Sequence, residues 1–518
     1  MISIIAKRHF LSNIFTLRFT ISFIVCIILF IASALILNWD YSERVNQYGN
    51  QESKSQESLD RISTYAGLSV TVNRPPSPLS TIAEGADKRL GTSTIVGFDR
   101  APTIVEESGT DNPLLSVFPS FDIITIIQII MSLLTLLFAY NTISGERENG
   151  TLKLVLSNSM PRHTVILGNY LGGMTSLILP LFMGLILALI ITVSNSYVSF
   201  NSALTGRVLL IFVFSILYLS VFYTLGILIS SRIRRSATVL IILLFIWVLF
   251  VIILPPTTVY LTKQISPVQD KTTIDDQARQ LRNEWDREMA QYISKNPRPK
   301  HDYDFIRGRN VRSGDMPYAY RIWYAPREVM QWLVDGSIYG HNLRLEYEDR
   351  IWQLYKDYQS QLKGQSNLAK SLSMLSPSWI FSYSSSLIAG TDEENYIRFL
   401  NQAQDYRQEL INYIRSKSGL SSYKLITRNS VDHYLPYQEL LNIRANNGTS
   451  AIEDIIGPGG GWDTADPLYL DDLPRFNFRN ETVSSSIIDA LPGILILLFL
   501  NLILFTFTWI SFLKADVR

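Results

Sequence analysis

The sequence has little of what metal centres, disulfide frameworks and nucleic-acid interfaces are built from. Its 518 residues include one cysteine, Cys26, and five scattered histidines. This excludes a disulfide framework and a cysteine-based zinc or iron–sulfur site, and it argues against a His-rich metal centre. The net charge of +1 offers no basic face for nucleic acid. Only 18% of residues are charged while 47% are hydrophobic, a composition that indicates a membrane protein.

Six apolar runs are each long enough to cross a bilayer core, which takes about 20 helical residues. Helices this apolar on every face are stable in lipid, where each backbone group is satisfied within the segment. The first run could instead be a cleaved signal peptide, but it is too long, and residues 38–41 offer no small-residue cleavage site. The sequence therefore predicts an α-helical polytopic membrane protein with transmembrane helices at 19–37, 122–142, 166–193, 208–230, 238–254 and 487–512.

Basic residues are concentrated in alternate connections between these helices. Eleven basic and three acidic residues fall in the segments 1–18, 143–165, 231–237 and 513–518, whereas the loop 194–207 has only Arg207, at its edge. This positive-inside pattern predicts a multi-pass protein of the inner (plasma) membrane with both termini in the cytoplasm. It places segments 38–121 and 255–486 outside the cytoplasm.

The segment 255–486 is predicted to be a large, mainly helical extracytoplasmic domain. Apolar residues recur at spacings of three and four in three stretches, which is typical of amphipathic helices. These stripes are Ile274, Ala278, Leu281, Trp285, Met289 and Tyr292; Tyr347, Ile351, Leu354, Tyr358 and Leu362; and Tyr396, Phe399, Ala403, Tyr406, Leu410 and Tyr413. Its six tryptophans fit core packing, with an aromatic binding groove as the alternative.

Proline and glycine mark the breaks around these helices. Pro255 and Pro256 are expected to end the fifth span sharply, and Pro377 should interrupt the helical pattern of the large domain. The glycine-rich run at 457–461 is interpreted as a flexible connector. In the segment 38–121, a helix is expected to continue the first span to about residue 65, followed by loop or short strands.

No catalytic motif is present in the sequence. It has no GxxxxGK[ST] phosphate loop, no HExxH and no GxSxG. His301 with Asp302, or Asp432 with His433, could form a catalytic pair, but adjacent side chains point in different directions, so these are interpreted as surface residues. The prediction is a chain that is not an enzyme and has no cofactor or metal of its own.

The most informative stretch is the connection between the second and third spans. It begins Ser-Gly-Glu-Arg-Glu-Asn-Gly-Thr-Leu at residues 144–152, with charge in its first half and alternating apolar residues in its second. A short helix at the membrane surface suits this pattern, since Glu146 and Glu148 in a first turn complement the helix dipole. Composition alone leaves two interpretations open, a docking element and a loop whose charges are simply hydrated.

The stretch from Tyr140 to Gly173 resembles permease subunits of the ABC-2 type. These commonly carry a Ser-Gly-Glu-x-Glu-x-Gly-Thr-Leu motif after the second span, then Pro-Arg and a Gly-Lys pair; here the last pair is Gly168-Asn169. The tail SFLKADVR and the stretch LSPSWIFSYSSSLIAGTDEENYIRFLNQ are similar to the subset with a large outer domain between the fifth and sixth spans. That subset includes gliding-motility and copper-enzyme-maturation permeases.

The resemblance implies a permease that pairs with a separate cytoplasmic ATPase, usually two copies, in which ATP and Mg are bound. It also implies a second permease subunit, the same or a sibling chain, and an export or mechanical function with a periplasmic or surface partner. Residues 1–18 would match the interfacial elbow helix on the lipid membrane. The residues that match the ATPase-coupling helix are Glu146, Arg147, Glu148, Gly150, Thr151 and Leu152; residues that bind the cargo are not identified.

Two other functions are weighed against a transporter subunit. A membrane-anchored receptor or scaffold would need spans only to hold the outer domain, and it has no use for a charged loop after the second span. An ion-coupled carrier should show broken helices or charge at mid-membrane. The acidic residues Asp122 and Asp489 lie near helix ends instead, and they are expected to sit at headgroup level or pair with Arg207. The apolar second and fifth spans weakly favour a lipid or lipid-linked cargo.

Overall fold

The computed structural model describes residues 2–102, 121–151, 161–198, 201–300, 305–308, 322–456, 467–480 and 482–513. Helices account for most of these residues, and the strands form two small two-stranded antiparallel sheets. Within the described residues, six helices are long and apolar enough to cross a membrane. The structure therefore confirms the predicted fold class, an α-helical polytopic protein with six spans.

The described chain begins with one short helix, and the first five spans follow it. Helix α1 is Ile2–Ile14, and the first span is the long helix α2, Leu17–Leu59. The second span is Ile123–Glu148, made of α3 (Ile123–Thr125), a π-helical segment (Ile126–Met131), α4 (Ser132–Ala139) and α5 (Ser144–Glu148). The third and fourth spans are α6 (Arg162–Val193) and α7 (Ser202–Arg232). The fifth is Ser236–Ile265, made of α8 (Ser236–Trp247), a second π-helical segment (Val248–Ile253) and α9 (Leu254–Ile265).

The expectation that Pro255 and Pro256 end the fifth span is wrong. The helix runs through both prolines to Ile265. Proline lacks the N–H that an α-helix would use and its ring crowds the preceding turn. The π-helical segment Val248–Ile253 comes immediately before the pair, and it changes the hydrogen-bond register where the prolines require it.

The remaining elements between the fifth and sixth spans are mainly helical. They are α10 (Lys271–Lys295), the strands β3 (Arg307–Gly308) and β4 (Ile322–Tyr324), α11 (Arg327–Ser373), α12 (Pro377–Ala389), α13 (Glu393–Ser416) and α14 (Tyr437–Ile456). The sixth span is α15, Val483–Leu513. The two strands before residue 102 are β1 (Ser69–Asn73) and β2 (Ser93–Gly97), which pair antiparallel.

The end of α2, the hairpin of Ser69–Asn73 with Ser93–Gly97, and elements from residue 305 to 478 share one hydrophobic core, and α10 packs on α11 through a second, smaller one. We call this unit the head domain. Val72 and Phe98 from the first part are buried with Phe399 and Leu410 from α13. The two long connections of the sequence therefore fold together, which local periodicity does not reveal.

The predicted apolar stripes of α13 and α10 are largely buried, that of α13 in the larger core and that of α10 against α11. All six stripe residues of α13 are buried, as are Ile274, Ala278, Trp285 and Met289 of α10. Two tryptophans illustrate the different environments of these side chains. Trp285 is a core residue whose Nε1 donates to the Gly340 carbonyl at 3.1 Å, whereas the partly buried Trp379 lines a cavity. The side chain of Trp323, and Trp462, lie outside the described residues.

Helix α12 inserts from the head domain among the spans. Ser376 begins it by accepting a hydrogen bond from the Trp379 N–H at 3.2 Å, as expected for a serine before a proline-initiated helix. Phe381 is buried against the fourth span, with its ring stacked on Tyr218 at 4.5 Å between centroids. We call this end of the span bundle the domain end, and the end that carries α1 and α5 the loop end.

Helix α1 lies along the third span at the loop end. A Cβ atom at Gly172 would stand 2.5 Å from the Ala6 carbonyl oxygen, and one at Gly168 would stand 2.6 Å from the Ile5 side chain. Only glycine permits this approach of two helix backbones. Helix α1 is thus held on the bundle, with Lys7 and Arg8 exposed.

Candidate functional site

The candidate site is the start of the connection between the second and third spans. After the turn that ends α4, the backbone N–H groups of Ile143 and Ser144 both donate to the Ser230 hydroxyl, at 3.1 and 2.9 Å. Ser230 belongs to the end of the fourth span. These N–H groups open a new helix, so they have no partner within it. A side chain from another span therefore fixes where α5 begins.

Glu148 joins α5 to the start of the fifth span. One carboxylate oxygen accepts from the Ser236 N–H at 3.0 Å and the other from the Ser236 hydroxyl at 2.7 Å. Ser236 is the first residue of α8, where N–H groups lack helical partners and the dipole favours a negative charge. Glu148 acts there as a helix cap supplied from a distant part of the sequence.

Arg147 contacts the fourth span, and a chain of hydroxyls continues to the sixth. Its Nη2 donates to the Ser231 carbonyl at 3.1 Å, and the Ser231 and Ser511 hydroxyls are 3.0 Å apart. We call the buried set Ser144, Ser230, Ser231, Ser236 and Ser511 the serine junction. It brings the loop-end termini of the second, fourth, fifth and sixth spans to one place.

The other predicted coupling residues lie at the end of α5. Glu146 is half-buried and attracted by the Arg8 guanidinium of α1, and its Oε2 has no hydrogen-bond partner among the described residues. Thr151 donates its hydroxyl to the Glu146 carbonyl at 3.1 Å. Gly150 has φ 71°, a left-handed conformation that glycine adopts freely, and a Cβ there would meet open space. Leu152 lies outside the described residues.

The surface of this loop combines both signs of charge. Glu148, Asn149 and Gly150 are exposed, whereas Arg147 is half-buried. The arrangement can therefore present a small polar face while its base is bonded to the fourth and fifth spans. That a partner binds this face stays a prediction, and the structure adds an internal role for Arg147 and Glu148.

The serine junction was not anticipated from the sequence. Serines beside arginines, as at 230–236, look like an ordinary hydrated loop, and nothing local pairs them with residue 148 or 511. A weak signal exists, because Ser230, Ser231 and Ser236 flank the basic cluster of Arg232, Arg234 and Arg235 in the short connection between the fourth and fifth spans. Hydroxyls at such ends can bond the free backbone groups of neighbouring helices.

Polar residues also connect the helices at the domain end. The Gln128 Nε2 donates to the Ser378 hydroxyl at 3.3 Å, and its carbonyl accepts from the Tyr218 hydroxyl at 2.8 Å. Deeper in the bundle the Ser220 hydroxyl donates to the Asn501 side-chain oxygen at 2.6 Å. Gln128 and Asn501 thus bridge neighbouring helices.

Both π-helical segments lie beside α12. Gln128 belongs to the segment in the second span, and the Phe250 carbonyl, in the fifth span, accepts from the Ser376 hydroxyl at 2.6 Å. A π-helical turn leaves carbonyls without a regular helical partner. The Ser376 hydroxyl supplies such a partner in the fifth span, and the Ser378 hydroxyl accepts from the Gln128 side chain of the second span, so α12 and its cap connect the two spans.

The remaining sequence candidates have structural roles or lie outside the described residues. Asp122 caps α3 by accepting from the Thr125 N–H at 2.8 Å and from the Glu84 N–H at 3.0 Å, so it does not pair with Arg207. His433 is exposed, as expected for a surface histidine, and the Asp432 carbonyl accepts from Arg327. His301 and Asp302 lie outside the described residues.

Comparison with protein families gives one match that spans nearly the whole chain. Residues 4–517 match the family described as "ABC-2 family transporter protein". A comparison with curated proteins gives no match.

Proposed function

The chain belongs to the ABC-2 transporter family, and from this membership we propose that it is the permease subunit of an ABC transporter whose ATP hydrolysis takes place in a separate cytoplasmic ATPase. Membrane components of this family normally work with such an ATPase. ATP and Mg would be bound there, and this chain would be the non-catalytic subunit. The observation that carries the proposal is the family match over residues 4–517.

The loop end is proposed to face the cytoplasm and to receive the ATPase. Its segments carry eleven basic and three acidic residues, the distribution of a cytoplasmic surface. Residues 148–150 offer an exposed, polar start for docking. Helix α1, with Lys7 and Arg8 exposed, suits the boundary of an anionic inner leaflet. Both termini would then be cytoplasmic and the head domain extracytoplasmic.

The serine junction gives the docked loop a mechanical route to the spans. A displacement of α5 pulls on Ser236 through Glu148 and on the Ser231 carbonyl through Arg147. Ser231 in turn contacts Ser511 of the sixth span. Closure of two ATPases would therefore move several spans together, which supports coupling through Glu146, Arg147, Glu148, Gly150, Thr151 and Leu152.

The work done outside is proposed to be export or mechanical work on an extracytoplasmic partner, as in the gliding-motility and copper-enzyme-maturation permeases. A second permease, the same or a sibling chain, would pack on the fifth span. Ile241 and Phe245 there are 67% and 71% exposed, on one face of α8. A bilayer also covers such residues, so the second permease rests on the family resemblance.

The test is purification of the tagged full chain from its native membrane in mild detergent, followed by assay for a co-purifying ATPase. We expect a stoichiometric ATPase with the wild type. Glu146→Lys with Glu148→Lys should abolish its recovery. Asn149→Trp should do the same, because it enlarges an exposed side chain that makes no hydrogen bond within the described residues.

The matched control is Ser236→Ala. It removes the hydroxyl that donates to Glu148 but leaves the exposed face of the loop unchanged. This variant should keep the ATPase bound while reducing the stimulation of hydrolysis. If the wild type carries no ATPase under conditions that keep other transporters whole, the permease assignment fails and the receptor or scaffold becomes the better interpretation. Full ATPase recovery with Asn149→Trp would place docking elsewhere.

A further inference from the structure

A cavity of about 460 Å³ lies where the head domain meets the sixth span. It opens between α11, α12 and the first turns of α15. Its lining includes Lys363, Lys370, Trp379, Tyr383, Asp489 and Pro492. This volume is in the range of small-molecule sites, and the cavity is far from the loop that we assign to the ATPase.

The polar part of the cavity carries both signs of charge. The Lys370 Nζ lies 2.8 Å from Glu393 Oε1 and over the Tyr383 ring, 4.9 Å from its centroid. The Lys363 Nζ lies 3.1 Å from Glu394 Oε2. Burial alone would lower the pKa of Lys370, but its bonds to Glu393 and Tyr383 raise that pKa overall, so the ammonium stays charged.

The other part of the cavity is apolar and continues onto the sixth span. The Trp379 and Tyr383 rings are stacked at 4.8 Å between centroids, and Pro492 lies opposite on α15. Just beside the cavity, Ile488 and Leu495 are 65% and 54% exposed. Paired aromatic rings with one polar edge are typical of the membrane–water boundary. A ligand could keep its polar end in the cavity and lay an apolar chain along α15.

We propose that this cavity binds the headgroup of a zwitterionic phospholipid, of the phosphatidylethanolamine type. Lys363, Lys370 and Arg398 provide cations for the phosphate, and Glu394 and Asp489 provide carboxylates for the ammonium. A purely anionic lipid has no ammonium to pair with the two carboxylates. An uncharged amphiphile could form no ion pair with either the cations or the carboxylates. The inference goes beyond the proposed transport function and needs no ATPase for its test.

The experiment uses the purified full chain in detergent with a phosphatidylethanolamine that carries a photoreactive group in one acyl chain. Irradiation should label peptides containing Trp379 and residues 488–495. Unlabelled phosphatidylethanolamine should suppress this labelling about tenfold more effectively than phosphatidylglycerol, a difference of about 1.4 kcal/mol. Lys363→Gln with Lys370→Gln should reduce labelling about tenfold.

Two further variants keep the test decisive. Ser371→Trp fills the cavity mouth from α11 without changing charge, and it should also abolish labelling even if the lysine variant unfolds. Lys356→Gln, an exposed lysine on the same helix outside the cavity, should label as wild type. Labelling that ignores all variants, equal competition by phosphatidylglycerol, or full competition by free phosphoethanolamine would each overturn the proposal. None of these outcomes bears on ATPase recovery.

Discussion

The two ends of the span bundle are held together by different chemistry. At the domain end, the Phe381 ring is fully buried and stacks on Tyr218 at 4.5 Å. At the loop end an apolar cluster that includes Phe138 and Ile143 is also present, but α5 is bonded to the fourth and fifth spans through serine hydroxyls and one carboxylate, as in the contact of Glu148 with Ser236 at 2.7 Å. The contact that distinguishes α12 is thus between large aromatic rings, whereas the bonds that distinguish α5 are between small polar groups.

This difference suits a span bundle that is fixed at its domain end and moves at its loop end. An interlocked aromatic contact has few alternative arrangements, because cores are packed as densely as organic crystals. A hydroxyl can exchange one acceptor for another within the same small space, and each such bond contributes only about 1 kcal/mol net. We therefore expect rearrangement to begin in the serine junction and α12 to keep its place.

The largest effect should come from removing the aromatic contact at the domain end. Phe381→Ala leaves a cavity among α12 and the fourth span, and it should lower the free energy of unfolding by about 3 kcal/mol. Thermal unfolding in detergent measures the loss. Leu375→Ala is the control, because Leu375 is 68% exposed just before α12. Equal stability of the two variants would contradict a fixed domain end.

A smaller loss is expected at the loop end. Ser230→Ala removes the acceptor of the Ile143 and Ser144 N–H groups, and two buried donors without a partner should cost about 2 kcal/mol together. If the junction is the mobile end, this variant should also reduce ATPase stimulation, whereas Phe381→Ala should reduce stability more than stimulation. Ser202→Ala, at the exposed opposite end of α7, should change neither.

The periodicity of apolar residues in the sequence predicted those features of the fold that depend on one helix at a time. The six spans and the buried stripe from Tyr396 to Tyr413 follow from apolar residues that recur in register with the helix. Ser376 before Pro377 likewise predicted the break that α12 begins from. Each of these features is encoded within about twenty neighbouring residues.

What joins distant segments was not predictable in the same way. Glu148 and Ser236 are 88 positions apart, and Phe98 packs with residues about 300 positions later in the chain. Pro255 and Pro256 were expected to stop the helix because proline interrupts the hydrogen bonding of a regular α-helix. The π-helical segment before them has a different hydrogen-bond pattern, and the helix continues. The site loop was located from its motif, but the spans to which it is bonded were not.

Ser376 is a hydroxyl residue at the domain end. It therefore tests whether motion depends on hydroxyl contacts in general or on those of the serine junction. The Ser376 hydroxyl donates to the Phe250 carbonyl at 2.6 Å and caps α12 by accepting from Trp379. Ser376→Ala should cost about 1 kcal/mol, the usual loss for an N-cap. It should leave ATPase stimulation intact if the moving hydroxyls are those of the junction. Strong uncoupling by Ser376→Ala, at preserved stability, would place motion at the domain end as well.

The smallest effect on stability should come from lowering the pH, which acts through a histidine of the head domain. Burial lowers the pKa of His341, and the nearby Arg344 lowers it further, while its bond to the Ser337 carbonyl and Asp99 oppose this. The unfolded chain takes up a proton near pH 6.5 that the folded chain does not, so the free energy of unfolding falls as pH falls through that value. The loss cannot exceed about 1.4 kcal/mol per pH unit for one group.

His341→Gln keeps a neutral donor for Ser337 and should flatten the change in melting temperature between pH 7 and 5.5. Because His341 lies in the head domain, away from the serine junction, ATPase stimulation measured at pH 7 should be the same in this variant as in the wild type. A loss of stimulation would mean that the head domain, too, takes part in coupling.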